Sequence, residues 1–161
     1  STLMRSSAAS DVYKRQPFCI STEKHLTNEG LNNCSSRLYP PYTTFVTCRG
    51  TVGNLALAGV PMAMNQSCYA LKGKKDFPAL FVFSFTRYVI ATMKKKASGA
   101  VFSALVTRDF EMEKVFEPNF EDAILFEKRV EPLFAQILAN TNEIQQLLDL
   151  QNALLTQLSS R

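Results

Sequence analysis

The residues with chemistry to offer lie in a few short stretches. "CRGTVGNLALAGVPMAMNQS", Cys48 to Ser67, sets Arg49 beside two glycines and ends with adjacent carboxamides, Asn65 and Gln66. Such glycines can cradle a phosphate, but that cradle needs a GxxxxGK[ST] string, and "GTVGN" has neither the lysine nor the spacing. A dinucleotide loop opens a helix, whereas the alternation of Leu55 and Leu57 predicts a strand. The stretch therefore reads as a strand-connecting turn, because glycine reaches positive φ freely. Arg49, just before it, can reach a phosphate or a guanine edge. Either amide can bond an adenine edge bidentately, and buried amides also tie down backbone. We expect Asn65 to brace the turn and Gln66 to face a ligand.

Catalytic and metal chemistry find little footing. His25 is the single histidine, and Cys34 near it lacks an orienting Asn/Asp pattern. Cys19, Cys34, Cys48 and Cys68 are 15, 14 and 20 residues apart, without a CxxC pair, which argues against zinc. The cysteines read as reduced and mostly buried, in a cytoplasmic protein. The carboxylates cluster near the C-terminus, where they fit the solvated face of a helix better than acid–base work.

Charge divides the chain. From Pro17 to Arg108 there are eleven Lys/Arg against three acids, a balance of +8; from Asp109 to Arg161 there are four against ten, a balance of −6. A basic module followed by an acidic one fits a phosphate-backbone partner, because each neutralised phosphate releases counterions. "KGKK" (72–75) and "MKKK" (93–96) also fit a solvated loop and helix end.

The elements that must position these residues make an α+β fold: a small, mostly antiparallel sheet with packed helices, then a long coiled-coil-like helix. Strands are predicted at 42–50, 54–58 and 65–71 as a meander. A helix should follow, with Asp76 as N-cap, Pro78 in its first turn, and an end near Lys96 before Gly99. Its apolar face would be Phe81, Phe85, Tyr88, Val89 and Met93. The segment 100–107 reads as a strand or turn. In the tail a 4/3 spacing selects Val130, Phe134, Ile137, Thr141, Ile144, Leu148, Gln151, Leu155 and Leu158, a seam needing a partner helix. With Pro132 in its first turn, that helix would run roughly 27 residues, about 40 Å. "FPALFVFSFTRYVIATM" carries Arg87 midway and is short for a membrane span. Residues 1–16, with "DVYKRQ", resemble translated adaptor sequence and read as a non-native or disordered leader.

From "TEKHLTNEGLNNCSSRLYPPYTTFVTCRGTVGNLALAGVPMAMNQSCYAL" through "ASGAVFSALVTRDFE" to "LLDLQNALLTQLSSR", about residues 22–160, the chain resembles the specificity subunits of Type I restriction–modification systems. The shared features are an ordered string, notably T.RGTVG followed by PMA.NQ, although the usual "RD.LLP" near the end is "QNALLT" here. The resemblance implies a non-catalytic subunit that reads double-stranded DNA. In that family two recognition domains each read half of a bipartite site. Two antiparallel helices act as spacer and dock the methyltransferase subunits.

No cofactor is expected on this chain; the assembled complex would use S-adenosylmethionine, Mg and ATP, with restriction subunits as further partners. The domains would be 17–118 for recognition, incomplete at its start, and 119–161 for the spacer. With one of each, the chain would be a C-terminal piece or a half-subunit that dimerises. DNA-binding residues would be Arg49, Thr51, Gln66, Lys72, Lys74, Lys75, Lys94, Lys95, Lys96, Ser98 and Ser103. The spacer seam would be Phe134, Ile137, Ile144, Leu148, Leu155 and Leu158. Two alternatives stay open: a coiled-coil interaction protein without DNA affinity, and the recognition part of a fused adenine methyltransferase.

Overall fold

The computed structural model describes residues 2–4, 16–22, 25–96 and 104–159. In chain order these form β1 (Thr2–Met4), β2 (Phe18–Cys19), α1 (Asn28–Asn32), β3 (Thr44–Thr47), β4 (Leu55–Ala58), β5 (Met62–Met64), β6 (Cys68–Leu71), α2 (Ala79–Lys96), α3 (Thr107–Met112) and α4 (Phe120–Ser159). The fold is mixed α+β, with a small sheet, packed helices and a long C-terminal helix. Most of the segment read as a leader, and the stretch 97–103, lie outside the described residues.

β3 is the centre of a four-stranded sheet of order β2-β4-β3-β6. Its Thr-Phe-Val-Thr sequence is β-branched and aromatic, and all four residues are buried because both faces are covered. β4 returns antiparallel beside it, with Phe45 opposite Ala56. β6 lies antiparallel on the other edge, with Thr47 opposite Cys68 and Thr44 opposite Leu71. The sheet is thus mostly antiparallel, but it is not the expected meander. The chain leaves β4, forms β5 after Pro61, and crosses to the far side of β3. β2 pairs parallel to β4, and β1 pairs parallel to β5 in a separate two-stranded sheet. Phe45 faces Cys19, Ala56, Ala58 and Met62. Val46, on the opposite face, meets Val89, Ile90 and Met93 of α2.

α2 starts after Pro78, whose carbonyl accepts the Val82 N–H at 3.0 Å. Asp76 is not its N-cap. Lys75 and Asp76 both have positive φ, 50° and 61°, in the turn that brings the chain back toward the helix. The cap comes from elsewhere. Both carboxylate oxygens of Glu127, on α4, accept backbone N–H groups of α2: Oε1 from Leu80 at 3.2 Å and Oε2 from Phe81 at 2.9 Å. A negative charge is favourable there, because the first N–H groups of a helix are unpaired and its N-terminus is positive.

The buried face of α2 also differs from the expected one. Leu80, Phe83, Thr86, Val89, Ile90 and Met93 are buried. Phe81 and Phe85 form a second, half-buried face, their rings stacked 5.7 Å apart, and Tyr88 beside them is exposed. Phe116 covers Phe85 at 5.3 Å and Phe126 covers Phe81 at 5.9 Å. The helix is apolar on two sides because it is covered on two sides, and the expected face mixes them: Val89 and Met93 belong to the buried side, Phe81, Phe85 and Tyr88 to the other.

α4 has 40 residues, about 60 Å at 1.5 Å per residue. Pro132 sits in its interior and not in its first turn. Proline there removes one helical hydrogen bond. Glu127 and Phe126 on one side, and Phe134 on the other, dock the helix to the domain and carry it through. Phe134, Ile137 and Leu138 pack on Phe18, Leu57, Leu80 and Phe83. Beyond the buried Thr141 the seam is exposed: Ile144, Leu148, Leu155 and Leu158 face solvent in part, as do Leu147, Leu150 and Leu154. Among the described residues no helix is long and apolar enough to cross a membrane.

The Glu127 carboxylate joins the long helix to the domain. Glu127→Gln should lower stability by about 1–2 kcal/mol, read from the denaturant midpoint. Leu133→Ala, on the exposed face of the same helix, should change it by less than about 0.5 kcal/mol. Equal effects would remove Glu127's special standing.

Candidate nucleic-acid interface

The turn from β3 to β4 is held by one threonine. Thr47 carbonyl oxygen accepts the Gly53 N–H at 2.8 Å, and its Oγ1 accepts the Asn54 N–H at 3.0 Å. The Thr47 hydroxyl donates to the Thr51 carbonyl. Gly50 and Gly53 both have φ of 75°, so the turn needs glycine at these corners. Gly53 also needs it for space: a Cβ there would lie 2.8 Å from Lys94 Cε and 2.9 Å from Ile90 Cγ2. The glycine pair is a strand-connecting turn pressed onto the end of α2.

Two further segments meet this end of the sheet. Ser67 carbonyl oxygen accepts the Cys48 N–H at 2.8 Å, and Cys48 carbonyl oxygen accepts the Leu105 N–H at 3.0 Å. Ala104 bridges Arg49. Asn65 Oδ1 accepts the Ser67 N–H at 2.9 Å, so this half-buried amide braces its own turn. Gln66 beside it is exposed. Arg49, Thr51 and Gln66 are thus brought together as exposed side chains on a backbone fixed from several directions.

The remaining predicted contacts separate. β6 runs away from this end, so Lys72, Lys74 and Lys75 lie at the opposite end of the sheet, beyond a strand about 10 Å long. There Lys72 borders a pocket of about 130 Å³ also lined by Pro41, Thr43 and Phe77. Of the α2 lysines, Lys94 Nζ donates to the Gly53 carbonyl at 3.1 Å, and Lys96 pairs with Glu113. Lys95 is exposed. Ser98 and Ser103 lie outside the described residues. Sequence reasoning missed Thr47, the turn's internal lock, and the Lys94 bond. A threonine at the last position of a strand before a glycine turn is the one local signal for the former.

Among the described residues no three His, Cys, Asp or Glu side chains group as metal ligands. His25 is exposed, and the exposed Cys34 thiol donates to the Leu31 carbonyl at 3.4 Å. Burial pushes the Cys19 thiol up to about 11, partly opposed by its bond to the Ser21 backbone. Burial pushes Cys68 up to about 12, with the nearby Cys48 and Cys19 adding to the rise. Thiols held protonated in this way are poor nucleophiles.

Residues 6–149 match the family model described as the Type I restriction modification DNA specificity domain. The chain is 27% identical over 150 residues to the Type I restriction enzyme HindI specificity subunit of Haemophilus influenzae. That alignment covers 89% of this chain and 32% of the relative, so the chain spans about a third of the relative's length. Among solved structures it is similar to the HsdS subunit from Thermoanaerobacter tengcongensis, at 16% identity and a TM-score of 0.41, over 68% of this chain and 25% of that one.

Two outcomes check the geometry. Asn65→Ala should cost about 1–2 kcal/mol of stability, since it removes a turn brace, while Gln66→Ala should leave the denaturant midpoint within about 0.5 kcal/mol. The buried thiols give a pH signature. The unfolded chain ionises Cys19 and Cys68 near 9.0, and the folded chain does so only near 11 and 12. Stability is therefore intact below pH 9.0 and falls as pH rises through that window, because the unfolded state sheds protons first. A midpoint that held or rose between about pH 9 and pH 10.5 would contradict this.

Proposed function

The chain belongs to the family of Type I restriction modification DNA specificity domains, and on that premise we propose that it reads one half of a bipartite duplex site and docks a methyltransferase subunit. The observation that carries the reading is the convergence of Arg49, Thr51 and Gln66 at one end of the sheet, exposed and on fixed backbone. Base readout needs such preorganisation, because a side chain that must be ordered on binding loses affinity to that cost.

The chemistry divides by residue type. The Arg49 guanidinium presents paired donors that match guanine O6 and N7 in the major groove, and the Gln66 carboxamide presents the donor and acceptor that match adenine N6 and N7. A good bidentate pair of this kind discriminates by about 1–3 kcal/mol. Thr51 and the exposed Lys95 supply backbone contacts, which fix register without carrying sequence. The Lys72–Lys75 loop, at the opposite end of the sheet, is left out of base reading.

α4 is the spacer. Its first half is committed to the domain through Phe134 and Ile137, and its second half offers Ile144, Leu148, Leu155 and Leu158 to a second helix. The chain itself performs no bond-making step. Partner subunits bring the chemistry, and with it S-adenosylmethionine, Mg and ATP.

The test is a map of methylated adenines in the source genome with the gene present, deleted, and replaced by Arg49→Ala or Gln66→Ala. Deletion should erase methylation at one bipartite motif. Each substitution should keep the spacing of the motif and relax one base pair within it. Sites unchanged by deletion would refute the specificity role.

A further inference from the structure

The peptide joining Gly53 to Asn54 is bonded on both of its polar sides. Its N–H donates to Thr47 Oγ1 at 3.0 Å, and its carbonyl accepts from Lys94 Nζ at 3.1 Å. Thr47 belongs to the strand entering the turn, and Lys94 to the last turn of α2. One peptide is therefore clamped between the sheet and the helix. The Lys94 stem is part of the clamp, since its Cε lies where a Cβ on Gly53 would need to be, 2.8 Å away. The ammonium also sits near the negative end of the helix dipole, which favours it in place. Outside the clamp the turn carries Arg49 and Thr51, both exposed.

From this we propose that Lys94 is a positioning residue: it sets the turn that aims Arg49 and Thr51, and thereby governs base discrimination, without itself contacting a phosphate. The inference rests on the DNA-reading role proposed above. All three lysines at this helix end are exposed, and their partners separate them: Lys94 bonds the Gly53 carbonyl, and Lys96 is paired with Glu113. A lysine on the surface of a basic module has a simpler role available, neutralising a phosphate, and the two roles leave different signatures. A phosphate contact releases counterions and steepens the dependence of affinity on salt, by about 0.9 in the log–log slope per contact on B-DNA. A positioning bond within the protein releases none. It changes the ratio of cognate to mismatched affinity instead.

The experiment uses the full-length gene product assembled with its methyltransferase subunit. Binding to the cognate duplex and to single-base-pair variants is measured across a salt series for the wild type, Lys94→Met and Lys94→Arg. Methionine keeps an unbranched apolar stem and loses the donor; arginine keeps a charged donor in reach of the carbonyl. Lys94→Met should lose about tenfold or more in discrimination at one or two adjacent base pairs, with the salt slope unchanged. Lys94→Arg should restore discrimination. A slope shallower by about 0.9 with discrimination intact would make Lys94 a phosphate contact and overturn the proposal. No change in either quantity, or an arginine variant as unselective as methionine, would overturn it as well. If the wild-type complex shows no preference for any duplex sequence, the DNA-reading role itself falls, an outcome visible before any variant is compared.

Discussion

A helix that is apolar on two sides has to be covered on two sides, and the rest of this molecule is arranged around that requirement of α2. One side lies on the sheet through Val89, Ile90 and Met93. The other carries Phe81 and Phe85, half-buried and in ring contact with Phe126 and Phe116, with Phe77 just before the helix against Phe120. A fully buried side chain of this size contributes about 1.5–3 kcal/mol of transfer free energy, which applies to the sheet-facing side and only in part to the half-buried aromatic one. The long helix is the second cover. Glu127 then makes the fit directional, since its two oxygens meet two particular N–H groups and a slip of one residue would break both bonds.

The same helix fixes the other end of the sheet. Its N-terminus is tied to α4 by Glu127 and its C-terminus to the glycine turn by Lys94. The turn that carries Arg49 and the long helix are therefore bonded to opposite ends of α2. α2, 18 residues long, is the element that the turn and the long helix share.

How much of this was legible depended on range. The turn at 50–53 and the bracing by Asn65 are local: a glycine that must take positive φ, and an amide two residues from an open N–H, are written in neighbouring positions. The tail's period was legible because it runs over many turns. The features that escaped are set by contacts distant in sequence. Glu127 caps a helix that begins 48 residues earlier, and no spacing rule points to it. Pro132 looked like a start because proline in mid-helix is costly; docking on both sides of it outweighs that cost. Asp76 had the chemistry of an N-cap, but its positive φ excludes it, since a cap residue is extended. The crossing of β6 to the far edge of β3 is a matter of topology, and strand patterns say nothing about neighbours.

The charge of the module shows most clearly what composition can and cannot decide. An excess of +8 between Pro17 and Arg108 suggests one basic surface. Geometry sorts seven of the module's eleven Lys and Arg into three groups. Lys72, Lys74 and Lys75 sit at the end of the sheet away from the turn. Lys94 and Lys96, themselves exposed, each bond a group of the protein. Arg49, with Lys95, remains exposed at the end where Gln66 lies. The excess is thus a poor measure of how many phosphates a duplex would meet there. Interactions between exposed charges are screened beyond about 10 Å at moderate salt, so the far lysines add little to the potential at the turn. The end that carries Arg49, Thr51 and Gln66 stands apart by how its backbone is tied, through Thr47, Asn65, the two glycines and the Lys94 bond to the Gly53 carbonyl, and not by its net charge.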